Sequence, residues 1–212
     1  MATEKLLSDA AARDVLRRIV QLYPQSEGSL LWDNRFHLVC AVMMSAQTTD
    51  LMVNRIMPKF TEDFPLPETL ANAPISAIEA DIKHLNLYHS KAAHLKTAAQ
   101  MLVEKYHGVV PNTLAELVKL PGVGEKTASV VLADGFGIPA IAVDTHVTRI
   151  AKRFHIVPAN AKPHEIKLRL EAVLPKEEWI ATHHALIYFG RYTMPARLKN
   201  VDPYSLLPAK ES

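Results

Sequence analysis

What most constrains this chain is the period of its apolar residues. They recur at three- and four-residue spacing in one short segment after another, and no alternating apolar–polar run of convincing length interrupts them. Ala12, Val15, Leu16 and Ile19 share one helical face behind a capping residue, Ser8. Phe36–Met44 is apolar nearly all round and reads as a central buried helix, and Thr48-Thr49-Asp50 offers a cap for the next. Pro65 and Pro67 break the chain before a short segment, 68–72, and Pro74 opens a helix through Leu85. Ser90 is placed as the cap of a long helix that stops at Gly108. Short helices at 114–120 and 125–133 flank a glycine-containing turn. Asp144, Pro163 and Glu178 begin three more helices. Some ten short helices and no sheet predict an all-α fold.

The remaining composition bounds the chain without deciding its role. At 212 residues, 49% apolar and 22% charged, it has room for a two-lobed domain that needs no disulfide. No uncharged run is long enough to span a bilayer and the first residues lack a signal-peptide pattern, so a cytoplasmic location is expected. The single cysteine, Cys40, sits in an apolar run and reads as a core residue. Trp32, Trp179, His183 and His184 are read as core or packing residues. Net charge is only +2, but six Lys/Arg (Arg149, Lys152, Arg153, Lys162, Lys167, Arg169) face two acids between Asp144 and Leu170. Arg191, Arg197 and Lys199 follow. That is either a solvated helix face or a surface for phosphates.

The turn Pro121-Gly122-Val123-Gly124 narrows the choice. Glycine admits positive φ and close approach of another backbone, and the turn delivers a helix N-terminus whose N–H groups attract phosphate. Helix–hairpin–helix units (here about 114–133) hold a DNA backbone in this way, without reading sequence. Lys126 lies in the first turn of the new helix, where a cation opposes the helix dipole at a cost of about 0.3–1 kcal/mol. The dipole disfavours the ammonium, and a neutral amine is what nucleophilic attack requires; a lysine that contacts phosphate would instead keep its charge. Asp144 supplies a partner. A helix over 125–133 runs about 14 Å, and the ten residues 134–143 suffice to return that distance. Asp144 is also an N-cap by position, a role compatible with a fixed carboxylate.

Taken together, Leu-Pro-Gly-Val-Gly-Glu-Lys-Thr-Ala (120–128) and Val-Asp-Thr-His-Val (143–147) resemble the signature of the endonuclease III family, helix–hairpin–helix DNA glycosylases with abasic-site lyase activity. Met44–Asp50, Leu87–Ala92 and the stretch from His183 to Tyr192 are similar to further family segments. The resemblance implies a six-helix barrel over about 28–138, beside a second helical lobe formed by 1–27 and 139–212. It implies Lys126 as nucleophile and Asp144 as the essential carboxylate. Gln47 and Leu87 would enter the gap left by a flipped nucleotide, and Gly122, Val123, Gly124, Thr127, His146 and Arg149 would contact DNA. The implied partner is double-stranded DNA carrying damaged bases or abasic sites, bound by a monomer, and the implied lesions are oxidised or ring-saturated pyrimidines. Carbonyls of the hairpin around Leu120 and Val123 would hold a monovalent cation.

Two departures from the family pattern stand out. Where the family places four cysteines, C-x6-C-x2-C-x5-C, around an iron–sulfur cluster, this chain has Met194, Val201, Tyr204 and Lys210. None replaces a thiolate, so no cluster and no other metal is expected. Packing by Met194, Leu198, Val201, Tyr204, Leu206 and Leu207 would hold the C-terminal segment instead. Glu125 also stands where a basic residue is usual. The competing readings are a glycosylase without lyase chemistry, which Lys126 argues against, and a DNA-binding module without catalysis, which leaves Lys126 and Asp144 unexplained.

Overall fold

The computed structural model describes residues 5–209, and among these every regular element is helical. In chain order they are α1 (Asp9–Leu22), α2 (Arg35–Ser45), α3 (Asp50–Asp63), α4 (Pro67–Asn72), α5 (Ile75–Ile82), α6 (Tyr88–Tyr106), α7 (Leu114–Leu117), α8 (Glu125–Val130), α9 (Thr145–Arg153), α10 (Pro163–Val173) and α11 (Trp179–Tyr188). Single π-turns prolong α8 (Val131–Gly135) and α11 (Phe189–Thr193). The chain divides into two compact units, 29–138 and 1–28 with 139–212.

In the first of these, α2 is the central helix. All nine residues from Phe36 to Met44 are buried, so it has no solvated face. It packs against α3, α6, α8 and the π-turn that follows α8. The α3 face of Val53, Ile56, Met57 and Phe60 meets it, and α4 and α5 close against α6. Burying side chains of this size stabilises by about 1.5–3 kcal/mol each. The one polar residue in the α2 run, His37, is satisfied: its Nε2 lies 2.9 Å from the Phe64 carbonyl and its Nδ1 meets Asn34 and Asp33. The bond from His37 holds the Asp33 carboxyl below the usual carboxylate range. Trp32 departs from expectation. It is 39% exposed, on the rim of an open groove with Phe36, Leu66, Val109 and Phe136. The break at Asp33-Asn34, where Asn34 caps α2, leaves it outside the apolar run.

In the other unit, α1, α9, α10 and α11 enclose a core that includes Leu16, Ile19, Ile150, Phe154, Ile166, Leu170, Leu186 and Phe189. Trp179 packs on its edge, and His183 and His184 are buried with rings 5.2 Å apart. The C-terminal segment reaches this core through Met194, Leu206 and Leu207, and the Tyr204 ring stands edge-on to Phe154 at 5.2 Å. Packing is only part of what holds it. Arg149 Nη2 donates to the carbonyls of Gly190 (2.8 Å) and Met194 (3.0 Å). Arg153 donates to those of Leu198 (2.9 Å) and Val201, and Arg18 to that of Pro208 (3.0 Å). Lys210 lies outside the described residues.

These bonds engage three of the six cations of 144–170 within the protein, where the sequence left a solvated face or a phosphate-facing surface open. Arg149 and Arg153 are turned onto backbone carbonyls, and Arg169 onto Asp9 and the carbonyls of Leu7 and Ile156. A guanidinium with five fixed donors suits such multiple carbonyl contacts. Sequence charge does not reveal which partner it will find.

Several boundaries also differ from expectation, among them α5, which ends at Ile82 short of Leu85, and α7, which ends at Leu117 short of Leu120. The long helix starts at Tyr88 behind Leu87, so Ser90 is inside its first turn and caps nothing. The helix after the glycine turn keeps α geometry only to Val130 and widens into the π-turn before Gly137, whose φ is +64°.

Candidate functional site

The hairpin is built locally. Thr113 caps α7 through its hydroxyl, which accepts from Glu116 N at 3.3 Å. A run of tight backbone bonds then carries the chain round, ending with Val123 N on the Leu120 carbonyl at 3.0 Å. Leu120 and Val123 are buried and pin the turn from inside. The two glycines serve different ends. Gly122 has φ +80°, and a Cβ there would lie 2.8 Å from His94 Cβ and 3.0 Å from Met43 Cε. Gly124 has ordinary extended backbone and nothing within 4 Å of where its Cβ would be. It leaves an open face at the start of α8, and no side chain caps that terminus. Lys126 is exposed in the first turn. Thr127 is half-buried beside it, and Ala128 and Ser129 anchor the helix in the core. Glu125, also exposed, shares the first turn.

Gln47 and Leu87, forty residues apart, are brought together in the same unit. Both are exposed and both adopt left-handed backbone, φ 56° and 58°. Asn86 Nδ2 donates to the Gln47 carbonyl at 3.2 Å, so the two turns are tied directly. A side-chain-bearing residue in that conformation costs of order 1–3 kcal/mol and is held there by its surroundings.

Asp144, His146 and Arg149 lie together on the first turns of α9, in the other unit. Asp144 Oδ1 accepts from Val147 N at 2.8 Å, the cap geometry expected of it, which fixes the half-buried carboxylate. His146 packs on the π-turn after α11: a Cβ at Gly190 would lie 2.7 Å from His146 Cβ. Its Nδ1 is 3.1 Å from Arg149 Nη2. Burial holds the Arg149 guanidinium below its ordinary range, countered by the charge of Asp144. The geometry gives Arg149 a task in holding the segment after α11.

Sequence reasoning missed Asn86 and Lys91, both of which fasten the Gln47 turn. A signal was there for the second: Lys91 falls on the apolar stripe of Ala92, Leu95, Ala98, Ala99 and Leu102.

The residues at the family's cluster positions do not fit a cluster. Met194 is fully buried among apolar side chains, Val201 offers only its carbonyl, already taken by Arg153, and Tyr204 stands edge-on to Phe154. A thioether, an isopropyl group and a phenol are not the thiolates that iron–sulfur clusters require. Cys40 is enclosed in α2, with burial pushing its thiol far above the usual range.

Comparisons with known proteins give the family. A family model described as HhH-GPD superfamily base excision DNA repair protein matches residues 40–176. The endonuclease III of Bacillus subtilis (strain 168) is 44% identical over 182 residues, 86% of this chain and 83% of its own length. That of Rickettsia felis is 37% identical over 202 residues, 93% of this chain and 92% of its own. Among solved structures, a trapped endonuclease III–DNA covalent intermediate superposes with a TM-score of 0.89, at 39% identity over 92% of both chains.

Proposed function

This chain belongs to the HhH-GPD superfamily of base excision DNA repair proteins, and on that premise we propose that Lys126 is the amine with which it excises damaged bases from DNA and cleaves the resulting abasic site. The enzyme is a DNA glycosylase with abasic-site lyase activity, similar throughout to endonuclease III. The observation that carries the assignment of the amine is the setting of Lys126: exposed, in the first turn of α8, at a helix start that no side chain caps.

The chemistry follows from that placement. A damaged nucleotide must leave the stack before its glycosidic bond can be reached. Gln47 and Leu87 fill the space it vacates, while Gly122, Val123, Gly124 and Thr127 bring the hairpin backbone to the phosphates. Lys126, neutral, attacks C1′ of the deoxyribose as the base departs with the glycosidic electron pair. The Asp144 carboxylate, fixed by its bond from Val147 N, stabilises the cationic sugar in the transition state. The attached amine gives up a proton and the C1′–O4′ bond opens, O4′ leaving as a hydroxyl, to give a protonated Schiff base that acidifies the C2′ proton; loss of that proton expels the 3′ phosphate by β-elimination. Hydrolysis then frees the lysine.

Oxidised or ring-saturated pyrimidines are the proposed substrates, and a monovalent cation on the hairpin carbonyls is the proposed counter-charge at the phosphate. The catalytic steps run without an iron–sulfur cluster, in keeping with the side chains at those positions. Among the described residues no helix is long and apolar enough to cross a membrane.

The test is reductive trapping. Incubating the protein with abasic-site duplex and sodium borohydride should give a covalent adduct that disappears in Lys126→Ala. An adduct undiminished in that variant would remove Lys126 from the role, and no adduct from the wild type would remove the lyase step. Asp144→Asn should lower single-turnover excision by about 10²–10³-fold with DNA affinity largely kept.

A further inference from the structure

Lys91 takes no part in the chemistry above, yet it is a buried cation, 7% exposed. Burial alone holds its ammonium below the ordinary lysine range. A charge kept in such a place needs partners, and the two it has are specific. Its Nζ donates to the Met44 carbonyl at 2.8 Å and to Thr48 Oγ1 at 2.9 Å. Met44 lies in the last turn of α2, where the negative end of the helix dipole favours a cation. Thr48 directly follows Gln47, so the second bond pins the turn that carries Gln47. Leu87 is held by the backbone: its carbonyl accepts from Lys91 N at 3.0 Å, the first-turn bond of α6, which does not depend on the lysine side chain. Both fastened residues are exposed and left-handed, and Asn86 ties one turn to the other.

We propose that Lys91 is a positioning residue for duplex opening: its buried ammonium braces the turn of Gln47, to which Asn86 ties the turn of Leu87, so that both side chains stand preformed to fill the gap of an extruded nucleotide. The inference rests on the assignment of Gln47 and Leu87 to that gap. Without the brace the turns relax toward right-handed backbone, and their ordering must be repeated each time a nucleotide is extruded. Extruding a damaged base should suffer most. A preformed abasic site, with no base to unstack, should suffer least.

Lys91→Met keeps the length of the side chain and removes the donor, while Thr48→Val keeps the lysine and removes one acceptor at a half-exposed position. Each is compared with wild type in single-turnover excision of a ring-saturated pyrimidine, in borohydride trapping on abasic DNA, and in the fluorescence of 2-aminopurine placed opposite the lesion. Both variants should slow excision by about tenfold or more and weaken the 2-aminopurine change, with trapping nearly unaffected. Adding Lys91→Met to a Gln47→Ala/Leu87→Ala background should cost nothing further. Equal losses of excision and trapping, or losses that multiply in the combined variant, would show Lys91 to be merely structural and overturn the proposal. If Lys91→Met does not fold, Thr48→Val decides by the same comparison. Should Gln47→Ala and Leu87→Ala themselves leave excision unchanged, the gap-filling assignment fails and the brace with it. Should they slow excision while Lys91→Met and Thr48→Val do not, only the role of Lys91 falls.

Discussion

Gly122 and Gly124 stand two positions apart in one turn and are glycine for different reasons. At Gly122 the backbone is left-handed and His94 and Met43 occupy the place of a Cβ. Gly122→Ala should therefore destabilise the 29–138 unit by about 1–3 kcal/mol, read as a lower denaturation midpoint. At Gly124 the backbone suits any residue and the Cβ position is empty. Gly124→Ala should leave stability within about 0.5 kcal/mol, the lost N-cap preference set against a stiffer unfolded chain. Its effect should instead fall on affinity for duplex DNA, because a methyl group stands where the phosphate backbone must approach. Equal loss of stability in both variants would contradict this division. Cys40 offers a second check at this scale: enclosed and held as the thiol, it should resist alkylating reagents until the protein unfolds.

The informative elements are the helix ends. Ser8, Thr49, Thr113 and Asp144 cap their helices as their types and positions predict, each accepting from a backbone N–H three residues on. Ser90 does not, because the preceding turn is imposed by Leu87 and the contacts that hold it. A second feature of this scale is the set of arginines gripping the segment after α11. Arg153→Met removes donors to the Leu198 and Val201 carbonyls and should cost about 1.5–3 kcal/mol. Hydrogen exchange at 198–207 should rise well before exchange in the α9–α11 core does. The ion pair of Arg17 with Glu178 ties α1 to the start of α11. The bond from Arg17 holds the Glu178 carboxyl below its ordinary value, so the folded form binds its proton less readily than the unfolded. This contribution is present above the ordinary glutamate range of about 4.3 and is lost as pH falls through the lowered folded value. Arg17→Met should flatten that part of the acid-unfolding profile, and an unchanged profile would show the pair to be inert.

At the scale of the whole molecule, the side chains at the cluster positions lead to one expected outcome. The purified protein should contain no iron and show no visible absorbance from a cluster, and chelators should leave excision unchanged; stoichiometric iron in elemental analysis would refute this. The C-terminal segment would then rest on Met194, Leu206 and Leu207 and on the guanidinium–carbonyl bonds.

What could be read directly from the sequence is what depends on near neighbours. Helical period, the caps, the glycine turn with a lysine one residue into the helix, and the absence of thiolates at four spaced positions all follow from residues a few places apart, and none needs a distant partner to be recognised. The family signature added the assignments of Lys126, Asp144, Gln47 and Leu87. Tertiary structure alone decided where the buried Lys91 and the half-buried Arg149 and Arg153 point. Lys91 meets Met44 across 47 residues, and Arg149 and Arg153 meet their carbonyls across 41 to 48. A carbonyl is common to every residue, so its choice as a partner leaves no mark in the chain; only the packing that brings it within 3 Å of a buried donor makes it specific.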